Sequence, residues 1–248
     1  MSATRSPSRL RLALLERLAD LVTTGQQAHP VRVAVDGVDA AGKTSLADEL
    51  VGPLTDRGRS VIRGSVDGFH RPRADRYRRG ELSAEGYYHD AFDYPALRAN
   101  LLDPLGPGGT GRYRTATFDF RTDQPRAEPF QRAAADAVLV FDGVFLLRPE
   151  LSDAWDLRIF LDVPFQETIR RALARDRALY GSTQAVEERY HHRYLPGQRH
   201  YLATVQPQRI ADVVIDNHDP ATPRLTIRTL DPAGSAGPAA PDPASPTP

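Results

Sequence analysis

The sequence predicts an α/β fold, a three-layer sandwich built on a mostly parallel sheet. Three observations predict it. First, a β-branched run (Val31, Val33, Val35) passes through a glycine-bounded loop into helix-compatible residues at 45–54, the order strand, loop, helix of an α/β unit. Second, the run 137–141 is continuously apolar rather than alternating, and 157–163 is mostly apolar around Arg158 and Asp162, as strands buried on both faces are. Third, the runs at 31–35, 60–66 and 137–141 each give way to an acid, Asp36, Asp67 and Asp142. In open parallel sheets ligands sit beyond the carboxyl ends of strands.

Length and composition set the bounds. The chain has 248 residues and is 40% hydrophobic, enough for one large α/β domain or two small ones. Lys+Arg and Asp+Glu are both 32, so no global field argues for nucleic acid or an anionic membrane. Cysteine is absent, which excludes disulfides and thiolate metal sites and suits a reducing cytoplasm. No apolar stretch approaches the roughly 20 residues of a membrane span, and the first ten residues lack the apolar core of a secretory signal. The expectation is a cytoplasmic protein acting on a small molecule. A homo-oligomer is compatible with these bounds but not specified by them.

Taken in order, residues 1–9 are polar and read as a flexible start to a single domain at 10–230. Leu14, Leu15, Leu18, Leu21 and Val22 recur at helical spacing with charged residues between them, predicting an amphipathic helix. Residues 37–44, Gly-Val-Asp-Ala-Ala-Gly-Lys-Thr, fit G-x-x-x-x-G-K-[ST] at every fixed position. Gly37 and Gly42 let the backbone curl close to a ligand, and the N–H groups of Asp39, Ala40, Ala41 and Ser45 face a polyphosphate. Lys43 reaches the β- and γ-phosphates, and the Thr44 hydroxyl holds Mg²⁺. Lys43 is the one lysine among 32 basic residues. A chain that otherwise uses arginine keeps a compact ammonium where the phosphate would lie.

Residues 60–66 predict a second strand ending in Asp67-Gly68-Phe69-His70, which puts Asp67 at the same sheet edge as Lys43. Residues 71–93 are long for a plain loop, carrying five arginines and then Tyr87, Tyr88, His89 and Asp90, and read as a substrate-covering segment. Asp93 and Pro95 start a helix. Residues 115–120 suggest a strand or pocket-lining ribbon, and 131–135 the end of a short helix. Asp142, at the end of the next strand, suits a second metal-side carboxylate. Pro164 opens a helix on which Arg171 and Arg175, four residues apart, share a face and could clamp a phosphoryl group. Ser182 caps a further helix reaching His192, residues 196–206 form another, 211–215 make a closing strand and 224–230 an edge strand. The histidines 191, 192, 89 and 200 lack metal-ligand spacing. Residues 231–248, rich in Pro and Ala, read as a disordered tail.

Together these residues resemble the uridine kinase and phosphoribulokinase-type branch of P-loop kinases. The resemblance runs from 31 to 217, through GVDAAGKT, DGFHRP, YYHDAFDYPAL, FDFRTD, VFDGVF, RRALARD and RIADVVIDN. It implies a P-loop NTPase fold of the nucleoside-kinase kind, with ATP and Mg²⁺, a lid around 170–200, and transfer of the γ-phosphoryl to a metabolite hydroxyl, most often the 5′-hydroxyl of uridine or cytidine. It makes Asp67 the base for the acceptor hydroxyl, with catalytic Lys43 and Mg²⁺ neutralising the developing charge. Thr44 and Asp142 become the metal side, Arg171 and Arg175 lid arginines on the nucleotide. His70, Tyr88, Phe118 and Phe120 fall on the substrate side with Asp67. Three positions depart from the uridine pattern. His70 stands where Tyr is common. Asp123 falls where a base-reading His is typical. Tyr87 falls where a ribose-binding Asp is typical, with Asp90 or Asp93 as substitutes. Pantothenate and nicotinamide riboside kinases share the scaffold and remain alternatives. A nucleotide-dependent switch is the reading from another class, disfavoured because a switch needs no acceptor base. Nucleic-acid binding through 71–79 would show strong salt dependence, and zero net charge speaks against it.

Overall fold

The computed structural model describes residues 7–25 and 27–228; the expectations for residues 1–6 and for the tail at 231–248 lie outside them. Helix α1, Arg9–Thr23, begins where the Ser8 hydroxyl accepts the Arg11 N–H. The strands are β1 (Val31–Gly37), β2 (Val61–Ser65), β3 (Val138–Asp142), β4 (Leu157–Asp162), β5 (Val213–Asp216) and β6 (Arg224–Ile227). They form one sheet in the order β6-β5-β4-β1-β3-β2. Every pairing is parallel except β6 on β5. In register, Val33 of β1 lies between Val140 of β3 and Leu157 of β4.

Side-chain alternation divides these strands between two layers. Val33, Val35, Val138, Val140 and Ile159 face a cluster completed by Leu14, Leu15 and Leu18 of α1 and by Leu46 of α2 (Lys43–Glu49). Ala34, Leu139, Phe141 and Phe160 face the other way, onto Phe69, Leu97, Leu101, Phe145 and Tyr201. Each fully buried leucine here contributes roughly 2 kcal/mol relative to exposure. The predicted three-layer sandwich is therefore present, with α1 packed on the sheet.

Three further helices shape the cleft at the carboxyl edge of the sheet: α4 (Phe165–Tyr180), α5 (Thr183–Arg189) and α6 (Leu195–Val205), facing α3 (Ala84–Asp90). Gly181, at φ +83°, ends α4, and Ser182 caps α5. The helix predicted through His192 stops being α-helical at Arg189; Tyr190–Tyr194 is a π-helical turn. A second π turn occupies Arg98–Leu102. Both end two residues before a proline, Pro196 and Pro104, whose missing N–H removes a donor from the helical ladder. A small apolar cluster of Ala172, Val186, Tyr190 and Leu195 packs on Ala40, so this helical layer rests directly on the glycine-bounded loop.

The ribbon region corrects one expectation. Gln131–Arg132 is a strand paired antiparallel with Arg112–Tyr113, not a helix end. Phe118–Asp119 pairs with Gln124–Pro125 in a second ribbon. Alanine after residue 132 favours helix locally, but the Arg112–Tyr113 partner decides the conformation.

Candidate active site

The loop at 37–44 is shaped by close contacts that only glycine permits. Gly37 has φ +151°, and a Cβ there would meet the Leu161 carbonyl oxygen at 2.8 Å. Gly42 has φ +96°, and its Cβ would meet Asn217 Nδ2 at 2.8 Å. The loop carbonyls are held from outside. Asn217 Nδ2 donates to the Ala41 carbonyl at 2.7 Å, and Lys43 Nζ donates to the Val38 carbonyl at 2.7 Å. Arg171 donates to the carbonyls of Ala40 (3.4 Å), Ala41 (3.3 Å), Asn217 (2.8 Å) and His218 (2.8 Å). With carbonyls engaged this way, the N–H face of the loop is left for an anion. Burial lowers the pKa of Lys43, while Asp39, Asp36 and Asp142 oppose that shift.

Two strand ends bring carboxylates to this loop. Thr44 Oγ1 donates to Asp142 Oδ2 at 2.7 Å, and Arg63 Nη2 donates to Asp142 Oδ1 at 2.9 Å. Among the described residues no cluster of three or more His, Asp or Glu could hold a metal alone. One hydroxyl and one carboxylate nevertheless fit Mg²⁺, which is bound through few protein ligands together with substrate phosphates and water. Asp67 follows β2 in the 3₁₀ turn Val66–Phe69, where Ser65 Oγ accepts its N–H. Its side chain is 61% open. Its pKa is raised by desolvation from the surrounding protein; Asp142 adds to the rise, and Lys43 and Arg175 oppose it. A carboxylate made more basic while still accessible suits proton acceptance.

Beside Asp67, His70 packs between two phenylalanine rings. Its Nδ1 lies 3.1 Å from the Asp67 carbonyl, and its ring centroid is 4.6 Å from Phe92 and 4.7 Å from Phe120. Burial pushes its pKa down to about 4, so the ring is neutral near pH 7. Phe118 is buried in its ribbon, and Asp119 between the two phenylalanines accepts the N–H groups of Arg121 and Thr122 to form the turn.

Other predicted site residues have different surroundings. Tyr88 is 8% exposed, with the Arg148 guanidinium 4.0 Å from its ring centroid and Phe145 at 5.2 Å; its ring is taken up by core packing. Arg171 and Arg175 divide. Arg171 grips the outside of the loop, while Arg175, paired with Asp176 at 2.6 Å, extends its field to Asp39, Lys43 and Asp67. Asp90 accepts from Arg78 at 2.6 Å and Arg79 at 2.8 Å, and Asp93 caps a helix by accepting the Ala96 N–H. Asp123 accepts the Arg73 N–H at 2.8 Å. All three are engaged in holding the 71–93 segment.

Several residues of the site carried no role in the sequence reading. Asp36, fully buried at the end of β1, accepts from the Gly37 N–H at 2.7 Å and from the Tyr201 hydroxyl. Burial raises its pKa from 3.8 to about 6. Its signal was the one that marked Asp67 and Asp142, an acid ending an apolar run. Arg63, Tyr87 and Gln198 had no comparable signal.

Residues 33–221 match the family model for the Phosphoribulokinase / Uridine kinase family. The chain belongs to that family. It is a family of small-molecule kinases that use ATP. Among similar proteins, uridine-cytidine kinase B of Dictyostelium discoideum is 28% identical over 194 residues, covering 77% of this chain and 76% of the relative. A uridine kinase of Staphylococcus carnosus is 27% identical over 185 residues, covering 74% of this chain and 85% of the relative. In fold, the chain is similar to a possible uridine kinase from Bacillus stearothermophilus, with a TM-score of 0.65 at 24% identity, covering 82% of this chain and 97% of the other. The family's P-loop NTPase architecture, predicted from the residues above, is thus the observed one.

Proposed function

We propose that this protein is an ATP-dependent, Mg²⁺-assisted kinase that moves the γ-phosphoryl group to the 5′-hydroxyl of uridine or cytidine. The observation that carries this reading is Asp67. It is an accessible carboxylate of raised pKa, at the end of β2, within the electrostatic reach of Lys43 and Asp142. Phosphoryl transfer asks mainly for positioning and charge stabilisation. Asp67 orients the acceptor hydroxyl and takes its proton as the new O–P bond forms and the bond from the γ-phosphorus to the β,γ-bridging oxygen breaks, releasing ADP. Lys43 and Arg175 stabilise the charge that develops on the phosphoryl oxygens. Thr44 and Asp142 would hold Mg²⁺, which would supply further charge neutralisation. His70 and Phe120, the partly open members of the aromatic cluster with Phe92, offer neutral aromatic faces to a planar base. Lid helices α4–α6 close over the cleft and exclude water, the competing acceptor. The same reading makes the cytoplasm, where ATP is supplied, its place of work.

A coupled ADP-release assay over uridine, cytidine, nicotinamide riboside, pantothenate and sugar alcohols tests the acceptor. Uridine or cytidine should give the highest kcat/KM; a clear preference for another acceptor replaces the pyrimidine reading. Asp67→Asn should lower kcat by about 10²- to 10⁴-fold with the ATP dissociation constant within about twofold of wild type. Full turnover in that variant would sink the assignment of the base.

A further inference from the structure

Asp39 stands inside the phosphate loop, where a carboxylate repels a polyphosphate. Its placement explains how the loop tolerates it. The Tyr87 hydroxyl of α3 donates to Asp39 Oδ2 at 2.7 Å, and Gln198 Nε2 of α6 donates to the same oxygen. Two donors on one oxygen fix the plane of the carboxylate and leave Oδ1 without a protein donor among the described residues. The arrangement is costly to hold. Gln198 is almost fully buried, and its Oε1 has no partner among the described residues. A buried acceptor left unmade disfavours the fold, so packing alone gives no reason to keep this amide here. Asp39 stands between the two halves of the cleft: its charge acts on Asp67 and His70 as well as on Lys43 and Arg175.

We propose that Asp39 Oδ1 receives a hydroxyl of the phosphoryl acceptor, one other than the hydroxyl that is phosphorylated, with Tyr87 and Gln198 as the positioning residues. The acceptor therefore carries a second hydroxyl within reach of the first, as the vicinal diol of a ribosyl group does. This inference rests on the nucleoside-kinase reading and narrows it. A polyphosphate donor contributes nothing to Asp39 through its phosphates, so the residue serves acceptor selection rather than nucleotide binding, the role expected of it from its place in the motif.

The test compares uridine, 2′-deoxyuridine and 3′-deoxyuridine in the ADP-release assay, for wild type, Asp39→Asn and Tyr87→Phe. A hydroxyl donated to a carboxylate is worth about ten- to hundredfold in binding. Wild type should prefer uridine over at least one deoxy analogue by that factor in kcat/KM. In Asp39→Asn the preference should collapse to within about threefold, with KM for ATP no higher than in wild type because a repelling charge is gone; in Tyr87→Phe it should shrink, with KM for ATP within about twofold. Nucleoside dissociation constants measured by calorimetry without ATP should follow the same order. A merely structural pin would lower thermal stability and shift both substrates without changing the ratio between uridine and its deoxy analogues. Equal turnover of all three nucleosides by wild type, or a preference that survives in Asp39→Asn, overturns the inference alone. No ADP release with any hydroxylated acceptor overturns the kinase reading and this inference with it.

Discussion

Asp36 offers the sharpest test of how the sheet edge is held. It is fully buried between the Gly37 N–H and the Tyr201 hydroxyl, and burial lifts its pKa from 3.8 to about 6. That rise corresponds to about 3 kcal/mol by which the folded protein disfavours the charged form. The sign follows from proton binding. Between pH 4 and 6 the folded state holds the Asp36 proton more often than the unfolded chain does, so this group's contribution to stability falls as pH rises through that window. It is largest below pH 4 and constant above about pH 7. Asp36→Asn keeps the shape and one acceptor oxygen while removing the charge. Equilibrium urea unfolding of both proteins from pH 4 to pH 8 isolates the effect, because other titrating groups cancel in the difference. The stability of the variant minus that of wild type should rise by up to about 3 kcal/mol between pH 4 and pH 7. A difference that stays flat, or that falls as pH rises, would refute the argument, since the pocket would then be welcoming the carboxylate rather than opposing it.

Two further substitutions probe the loop. Gly42→Ala forces an L side chain to φ +96° and sets its Cβ 2.8 Å from Asn217 Nδ2; it should cost about 1–3 kcal/mol of stability and weaken ATP binding at least about tenfold by calorimetry. Arg171→Lys keeps the charge but loses the fork that spans the carbonyls of Ala40, Ala41, Asn217 and His218. Its KM for ATP should rise by about fivefold or more while kcat stays within about twofold, and wild-type values for both would remove Arg171 from the loop's support.

The parts of the site legible in the sequence are those that physics writes into contiguous residues. A phosphate loop needs glycines and an ammonium at fixed spacing, and a strand end exposes the residue that follows an apolar run. Lys43, Thr44, Asp67 and Asp142 were visible for those reasons. The Tyr87–Asp39–Gln198 contact joins positions 48 and 159 residues apart and has no local signature. Tyr87 and Tyr88 are neighbours in sequence but lie about 100° apart around α3, so one hydroxyl meets the phosphate loop while the other ring enters the core. Arg171 and Arg175 share a face, yet the four-residue rise separates them by about 6 Å along the helix. That distance turns one toward loop carbonyls and leaves the other over the cleft. The Gln131–Arg132 strand was unreadable for a related reason: its conformation is set by a partner ribbon, not by its own residues.

The arginine-for-lysine economy of this chain has a practical result. With one lysine in 248 residues, the chain carries a single side-chain primary amine, and that amine sits at the phosphate loop with its pKa lowered by burial. Guanidinium groups stay protonated and unreactive toward acylating reagents near neutral pH. An amine-directed label therefore has one side-chain target, apart from the amine at the start of the chain, and that target lies where the nucleotide's phosphates would dock. Covalent modification of this protein becomes a direct count of open sites, free of the surface background that lysine-rich enzymes impose.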